Sequence, residues 1–460
     1  MSINPKIFRK YDIRGTADTD LSDAVAKQIG QAIGTVMQDD HELKRVIVGR
    51  DNRNSGQRLR DALIAGLVAS GCDVVDIGIC STPTLYWYAV KENTAGIMIT
   101  GSHLDPIYNG FKIAVGKVAL YGDGIKAIYQ VIDNELYNEG EGSVSTIDDS
   151  LTPYIEDVAG KVSPKKLKVA VDPGNGTAGL FVDALMSAWG QDAVTINMEL
   201  DGSFPNHAPD PSKAKNLEQL ITLLKENNAD VGLAFDGDAD RVVAIDETGN
   251  VIAPDRFVAI LAKDVLSRHP GATIIGDVTS SQALFDTIRE AGGNPVMWMT
   301  GHSLIKEKMR ETDAILAGEV SGHIFFAEDY YGFDDAYLAA GKLLQIISNS
   351  DKTLSEMDAE IPTFYSTKVF RPHCDPEVSH DVLATLAQDL GDKGELVLLD
   401  GIRAQFDAGW AIIRESNTEP VLSIRIEGKT REDAMQYRDW IVEIMEEFEG
   451  VEVDELKGEI

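Results

Sequence analysis

Cysteine is scarce in this sequence, with three residues among 460. Cys72, Cys80 and Cys374 are an odd number, lie far apart and form no Cys-x-x-Cys pair. A disulfide framework and a cysteine-based zinc site are therefore not predicted.

Long apolar runs are missing as well. No uncharged apolar stretch approaches the roughly 18 residues of a membrane span, and the opening segment MSINPKIFRKYDIRG has no apolar core of an export signal. We therefore expect a cytoplasmic location, without membrane insertion or export.

Positive charge is in the minority, since 42 lysines and arginines stand against 75 aspartates and glutamates, for a net charge of −33. A charge of this sign repels nucleic-acid phosphates and anionic membranes at long range, so neither is expected as a partner. A small anionic substrate would need a local cluster of arginine and lysine that overrides the overall field.

Length and pattern predict several related domains. The 460 residues are 43% hydrophobic and 25% charged, which is ordinary for a globular protein of about three or more domains. A strand ending in aspartate, a small-residue turn, a helix, a glycine and a second strand recur three times, with the marker residues Asp51, Asp172 and Asp277. The repeat predicts three related mixed α/β domains with largely parallel sheets.

The C-terminal segment has a different pattern. Strand candidates STKVF, ELVLLDG, WAIIRE and VLSIRIEG follow one another, and the Thr430/Asp433 spacing of a capping box opens a helix expected to reach about Glu447. This predicts a smaller α+β domain. Shifts in composition place the four domains at 1–150, 151–253, 254–362 and 363–460.

In the segment IMITGSHLDPIYNGFK, residues 97–112, an apolar strand is followed by Ser102 and His103. A polar loop after a strand is the plainest interpretation. A serine-hydrolase elbow, G-x-S-x-G, would need glycine where Leu104 stands. If Ser102 is a nucleophile, acyl transfer is not the favoured chemistry.

The segment VGLAFDGDADRVVAID, residues 231–246, places Asp236, Asp238 and Asp240 at alternate positions after an apolar strand. Three carboxylates with this spacing can converge on one hard divalent cation. An EF-hand loop would need glycine where Arg241 stands. The pattern favours Mg²⁺, which keeps open positions for phosphate oxygens, and a solvated acidic turn is the alternative.

Two further loops carry polar groups, although each alone could be an ordinary turn. The segment LAGEVSGHIFF, residues 316–326, contains Glu319, Ser321 and His323. Their carboxylate, hydroxyl and imidazole groups are suited to hydrogen bonding with sugar hydroxyls. The segment IIRESNTEPVLSIRIEG, residues 412–428, contains four side chains that can donate hydrogen bonds to phosphate oxygens: Arg414, Ser416, Asn417 and Thr418.

A dinucleotide-binding pattern competes for the second domain. GNGTAG, residues 174–179, fits G-x-G-x-x-G, and Glu199 follows twenty residues after Gly179. However, Asp172 precedes the glycines, and its carboxylate would face the pyrophosphate. The three-fold repeat explains the segment without a nicotinamide cofactor.

These four segments and the opening FRKYDIRG resemble the α-D-phosphohexomutase family, particularly its bacterial phosphomannomutase/phosphoglucomutase group. The resemblance covers essentially the whole chain, and GEVSGH is closer to the sugar loop of the mannose and glucose enzymes than to the GEQSGH type of the phosphoglucosamine enzymes. It implies four domains around a central cleft, for the phosphoserine, the metal, sugar recognition and phosphate binding in chain order. It also implies reversible conversion between hexose 1-phosphate and hexose 6-phosphate through a hexose 1,6-bisphosphate.

The resemblance assigns roles to the candidate residues. Ser102 would carry the phosphate, and a Mg²⁺ cofactor would bind to that phosphate and to Asp236, Asp238 and Asp240. Arg241 and Lys112 would stabilise the transferring group. His323 is the nominated general acid or base, and its competitors are His103, His302 and Lys112. The substrate, a small sugar phosphate, would contact Tyr11, Arg14, His302, Glu319, Ser321, Arg414, Ser416, Asn417 and Thr418.

Some positions depart from the family's pattern. The family's reactive-serine segment commonly reads GSHNP, whereas here Leu104 and Asp105 stand between His103 and the proline. Two further positions that are often basic are Thr279 and Met299. One alternative is a Mg²⁺-dependent sugar phosphatase that would use the three-aspartate segment. The lost positive charge keeps open a second alternative, a non-catalytic sugar-phosphate-binding protein. The preference for mannose or glucose stays open, and a monomer is expected with an oligomer left open.

Overall fold

The computed structural model describes residues 3–415 and 420–458. Within them the chain forms two compact units: one contains the residues up to Phe257 and Gly301–Asp358, and the other contains Val258–Thr300 and the residues from Ala359 onward. In these ranges no helix combines the length and the apolar content needed to cross a membrane.

The strands of the described residues are short and alternate with helices over most of the chain. They are β1 Ile13–Thr16, β2 Arg45–Arg50, β3 Asp73–Ile79, β4 Ala95–Ile99, β5 Tyr108–Val115, β6 Val118–Ala119, β7 Val144–Thr146, β8 Lys168–Asp172, β9 Asp192–Thr195, β10 Val231–Phe235, β11 Val242–Asp246, β12 Val251–Ile252, β13 Thr273–Asp277, β14 Asn294–Trp298, β15 Leu316–Gly318, β16 Ile324–Phe326, β17 Tyr365–Ser366, β18 Glu395–Val397, β19 Ile402–Phe406, β20 Gly409–Glu415 and β21 Leu422–Gly428.

The α-helices are α1 Asp23–Asp39, α2 Gly56–Ala69, α3 Thr82–Lys91, α4 Asp123–Asp133, α5 Thr152–Ala159, α6 Val182–Ala188, α7 Ala214–Asn227, α8 Pro254–Arg268, α9 Gln282–Glu290, α10 His302–Thr312, α11 Ala336–Asn349, α12 Leu354–Ala359, α13 Ser379–Gly391, α14 Arg431–Met445 and α15 Asp454–Lys457. Two short segments, Pro5–Ile7 and Thr177–Leu180, are 3₁₀-helices.

The first unit contains two mixed sheets. One has the strand order β1-β5-β4-β2-β3-β7, with β6 paired to β5, and its strands β4, β2, β3 and β7 are parallel. The other has the order β12-β11-β10-β8-β9, in which β10, β8 and β9 are parallel. Strand β4, with the sequence AGIMI, is buried at every position, as expected for a parallel strand that is covered on both faces.

All three predicted repeats are confirmed, as β2-α2-β3, β8-α6-β9 and β13-α9-β14, and the two strands of each pair are parallel. The second repeat differs in its helix, which begins as a 3₁₀ segment before α6. Gly179 lies in that segment, and a Cβ there would come 2.2 Å from the carbonyl oxygen of Met198. The chain thus makes a close backbone contact where a regular helix was predicted.

The second unit contains the parallel pair β13-β14 and an antiparallel sheet of order β17-β21-β20-β19-β18. Its capping box is confirmed, because Thr430 Oγ1 accepts from the backbone N–H of Asp433 and the Asp433 carboxylate accepts from that of Thr430. The α+β character predicted for this part of the chain is therefore confirmed.

Three C-terminal elements, β19, α13 and α15, were not predicted, and two strands, STKVF and ELVLLDG, were predicted too long. Strand β19 was missed because its sequence IRAQF contains Arg403, which is fully buried, donates to the carbonyls of Val278 and Ser280 and lies 3.8 Å from the Trp410 ring centre. Helix α13 was also missed. Of the predicted strand STKVF, only its first residue, Ser366, belongs to a strand.

Candidate active site

Ser102 lies in the loop between β4 and β5, and it is 1% exposed. Its φ of +50° is in the left-handed region, which non-glycine residues seldom adopt and which is concentrated at functional sites. Its hydroxyl donates to Asp236 Oδ2 at 2.9 Å and lies 3.2 Å from His103 Nδ1. The structure thus brings the first and second predicted segments into direct contact.

A buried arginine holds this loop in place. Arg53 is 1% exposed and pairs through Nε with Asp51 Oδ2 at 3.2 Å, while Asp51 also accepts from Thr100 Oγ1 and the backbone N–H of Gly101. The Arg53 guanidinium donates to the loop carbonyls of Ser102, Leu104 and Asp105 and to that of Tyr108, the first residue of β5. The sequence marked Asp51 as the end of a strand but gave no signal for Arg53.

We expect Arg53→Met to lower the free energy of unfolding by about 3–5 kcal/mol, because it leaves the buried Asp51 carboxylate without its cation. Urea denaturation measures this change. The control is Arg289→Met, which removes an exposed arginine paired with Asp286 and should cost about 0.5 kcal/mol or less. Equal losses in the two variants would show that Arg53 does not brace the loop.

Asp236, Asp238 and Asp240 follow β10 and are all 0% exposed. One carboxylate oxygen from each lies within 4.8 Å of the others. Among the described residues, Asp238 Oδ1 has no hydrogen-bond partner, and Asp240 Oδ1 faces His323 Nε2 at 3.4 Å. Buried, converging carboxylate oxygens with so few donors are the ligands a hard divalent cation takes, so these residues fit a metal ion.

Lys112, on β5, provides the positive charge beside these carboxylates. Its Nζ donates to Asp238 Oδ2 at 2.7 Å and to Asp240 Oδ2 at 2.5 Å. Burial opposes the ionisation of Asp240, yet Lys112 and His323 hold the pKa of Asp240 well below its usual range. Burial together with Asp240 and Asp238 raises the pKa of Asp236 well above its usual range.

The third predicted segment reaches the same site. His323 Nε2 lies 3.4 Å from Asp240 Oδ1, and its Nδ1 lies 3.0 Å from Glu319 Oε2 and 2.8 Å from Ser321 Oγ. Burial and Arg241 oppose the charge on His323, but Asp240 and Glu319 raise its pKa to about 9. His323 is therefore protonated at neutral pH and is placed to donate a proton.

The other two candidate histidines are neutral. Burial, with the charges of Arg241 and Arg14, lowers the pKa of His103 to about 2. Burial and the nearby Lys306 ammonium hold the pKa of His302 well below its usual range. Among the three histidines, His103 contacts the Ser102 hydroxyl.

A cavity of about 220 Å³ adjoins Ser102. It is lined by Arg9, Tyr11, Asp12, Arg14, Ser102, Lys112, Arg241, His302 and His323. Seven of these residues were predicted, whereas Arg9 and Asp12, which flank the predicted Tyr11, were missed. The cavity concentrates four lysine and arginine side chains in a chain with a net charge of −33, which is the local cluster that an anionic substrate requires.

The fourth predicted segment is described only in part. Arg414, at the end of β20 in the second unit, pairs with Asp400 at 2.7 Å. Ser416, Asn417 and Thr418 lie outside the described residues. Of the departures from the family's pattern, Asp105 is exposed, and Thr279 Oγ1 donates to Asp277 at 2.7 Å.

The glycine-rich segment after β8 packs against the three-aspartate loop. The backbone N–H and the hydroxyl of Thr177 donate to the carbonyl of Gly237, and a Cβ on Gly176 would come 2.8 Å from that same oxygen. The backbone N–H groups of the glycine-rich segment therefore bond to other protein atoms rather than to a ligand. The segment supports the loop that carries the three aspartates.

Comparison with known proteins agrees with this geometry. Four family models match in chain order: phosphoglucomutase/phosphomannomutase alpha/beta/alpha domains I, II and III at residues 5–139, 152–249 and 253–365, and the C-terminal domain at 379–444. A phosphomannomutase/phosphoglucomutase of Pseudomonas aeruginosa is 44% identical over 93% of this chain and 92% of its own length.

Two further relatives support the same assignment. A phosphoglucomutase of Neisseria gonorrhoeae is 41% identical over 94% of both chains. A crystal structure of a phosphoglucomutase/phosphomannomutase family protein from Burkholderia thailandensis matches with a TM-score of 0.90 at 37% identity, over 97% of this chain and 98% of that one. The chain therefore belongs to the phosphoglucomutase/phosphomannomutase family.

Proposed function

We propose that this enzyme interconverts hexose 1-phosphate and hexose 6-phosphate, with mannose or glucose as the sugar, through phosphate on Ser102 and a hexose 1,6-bisphosphate. One observation carries the proposal. The Ser102 hydroxyl lies 2.9 Å from Asp236, in a buried group of carboxylates and cations beside a cavity rich in arginine and lysine. A hydroxyl in this setting suits a phosphate carrier, because opposite charges surround the position of the transferring group.

The buried aspartates suit a Mg²⁺ ion, which Asp236, Asp238 and Asp240 would hold together with the phosphate on Ser102. When bound, such an ion offsets charge on the phosphoryl group during in-line transfer. Lys112 and Arg241 add positive charge at the same place, since both line the cavity next to Ser102.

Proton movement accompanies each transfer. The accepting sugar hydroxyl loses a proton, and the Ser102 oxygen gains one when its phosphate leaves. His103, 3.2 Å from Ser102 Oγ, is one competitor for the group that exchanges a proton with the serine, although its low pKa makes it a weak base. His323, with a pKa raised to about 9, is the nominated acid or base for the sugar hydroxyl. His302 and Lys112 line the same cavity and remain competitors.

The bisphosphate must turn over so that either phosphate can reach Ser102. Tyr11, Arg14 and His302, which line the cavity, would contact the phosphate near the serine. Glu319 and Ser321 would hold the sugar hydroxyls common to both orientations. The distal phosphate would bind to the donors of the C-terminal loop, Arg414, Ser416, Asn417 and Thr418.

The same proposal includes the domain plan and the setting of the enzyme. We infer domains at 1–150, 151–253, 254–362 and 363–460, and the four matched family segments support this division. A cytoplasmic monomer that binds neither nucleic acid nor membrane is in keeping with the charge of −33.

A phosphorus NMR experiment tests the function. Purified protein is incubated with Mg²⁺, a trace of hexose 1,6-bisphosphate and, in parallel, mannose 1-phosphate or glucose 1-phosphate. We expect the 1-phosphate signal to be replaced by that of the 6-phosphate, and the two rates give the sugar preference. Release of inorganic phosphate would indicate a phosphatase instead, and unchanged signals would indicate a binding protein.

A further inference from the structure

A second cavity, of about 360 Å³, lies beside helix α10 in the first unit, and none of its lining residues lines the cavity next to Ser102. Its walls come from α10, the segment that follows it, the loop after β16 and the turn between β5 and β6. They include Lys117, Lys306, Met309, Arg310, Asp313 and Tyr330. Small-molecule sites have volumes of roughly 300–1,000 Å³, so this cavity is large enough for a ligand of its own.

Positive charge prevails in the second cavity. Lys117, Lys306 and Arg310 stand against the one carboxylate of Asp313, in a chain with a net charge of −33. The Lys306 ammonium is already paired with Asp334 at 2.8 Å. Within residues 3–415 and 420–458, however, neither Lys117 nor Arg310 forms an ion pair. An anionic ligand would therefore meet two cations that no carboxylate neutralises.

These two cations are held next to each other. Arg310 Nη1 donates to the backbone carbonyl of Lys117 at 3.0 Å. Four residues further along, the Tyr121 hydroxyl donates to Glu307 of α10, so this part of the chain is attached to the helix at two points. Because the backbone around the cations is fixed before a ligand arrives, binding costs less conformational entropy.

The other walls of the second cavity are mainly apolar. Met309 and Ala314 are buried, and Tyr330 is 8% exposed. Tyr330 and Tyr331 donate their hydroxyls to carboxylates of other residues, so their rings and not their hydroxyls are left for a ligand. The cavity thus offers few side-chain partners for the hydroxyls of a hexose, whereas it suits a ligand with a flat, weakly polar ring.

We propose that the second cavity binds a nucleoside monophosphate, with the phosphate at Lys117 and Arg310 and the base against the apolar walls. A phosphate monoester carries a charge of about −1.5 to −2 at neutral pH, which two cations match. Guanidinium and ammonium groups are the usual protein partners of phosphate. The proposal goes beyond the function proposed above and does not depend on it.

Calorimetry of the full chain with AMP, GMP, CMP and UMP tests the proposal. We expect at least one of the four to bind, and we expect inorganic phosphate and the matching nucleoside to bind at least about tenfold more weakly, because each lacks half of the contacts. Lys117→Met and Arg310→Met should each weaken nucleotide binding by about tenfold or more, since each removes a charged hydrogen-bond donor. Both side chains are exposed, so both variants should fold.

The matched control is Arg9→Met, which removes an exposed cation that lines the cavity next to Ser102 and should bind the nucleotide as the wild type does. Four results would overturn the proposal. They are no binding of any of the four nucleotides, equal affinity for inorganic phosphate or the nucleoside, wild-type affinity in Lys117→Met or Arg310→Met, and a loss in Arg9→Met as large as that in Lys117→Met. The measurement needs no sugar phosphate, so a chain without mutase activity would still report on this cavity.

Discussion

Ser102→Ala is expected to lose mutase activity by on the order of 10⁴-fold or more, because alanine has no oxygen to carry the phosphoryl group. The fold should persist. The variant removes one hydrogen bond to Asp236, a change that typically costs about 1–3 kcal/mol for a buried acceptor. Conversion of sugar 1-phosphate to 6-phosphate, followed by phosphorus NMR, measures the activity, and intact mass shows whether phosphate is still carried.

A matched control separates the chemistry from the loss of a hydroxyl. Ser143→Ala removes an exposed serine whose hydroxyl bonds to Asp73, and it should keep full activity. Activity in Ser102→Ala near that of the control would show that the phosphate carrier is another group. An aspartate of the metal loop would then be the first to test, as in the phosphatase alternative.

Asp238→Asn is expected to lower the Mg²⁺-dependent activity by about 10³-fold, since a metal ion contributes several kcal/mol of charge stabilisation to phosphoryl transfer. The structural reason lies in its two oxygens. Asp238 Oδ2 accepts from Lys112 and from Thr82 Oγ1, while Oδ1 has no partner and is free to bind an ion. Asparagine keeps the shape but loses the charge that a hard cation requires.

Unfolding with and without Mg²⁺ gives an independent measurement. Mg²⁺ at about 100 times its dissociation constant should stabilise the wild type by about 2.7 kcal/mol, and Asp238→Asn should lose this gain. The control Asp123→Asn, in an exposed pair with Lys126, should keep it. A Mg²⁺-dependent gain in Asp238→Asn equal to that of the wild type would place the ion elsewhere.

Local patterns predicted much of this protein. The three strand-aspartate-helix units, the capping box at Thr430 and the polar segments at Ser102, Asp236 and His323 depend on neighbours a few residues apart. Hydrophobic periodicity and turn residues encode such features directly. The resemblance to phosphohexomutases added the reaction that these segments could serve.

Features that depend on distant partners were missed or left open. Arg53 donates hydrogen bonds to carbonyls about 50 positions away in the sequence, and Lys306 pairs with Asp334, 28 positions away. Arg403 is buried in a strand whose composition looked exposed, and its Nη1 donates to the carbonyls of Val278 and Ser280 in another segment. No short window of sequence contains both members of these pairs.

The sequence by itself determined the order of elements, the repeated strand-ending aspartates and the residue types available for phosphate and metal chemistry. Only the tertiary structure decided which of them meet: Ser102 with Asp236, Lys112 between two aspartates, and His323 against Asp240. The reason is physical. Charge interactions and pKa values depend on separations of a few ångströms and on burial, and strands far apart in the sequence set both when they pack into one unit.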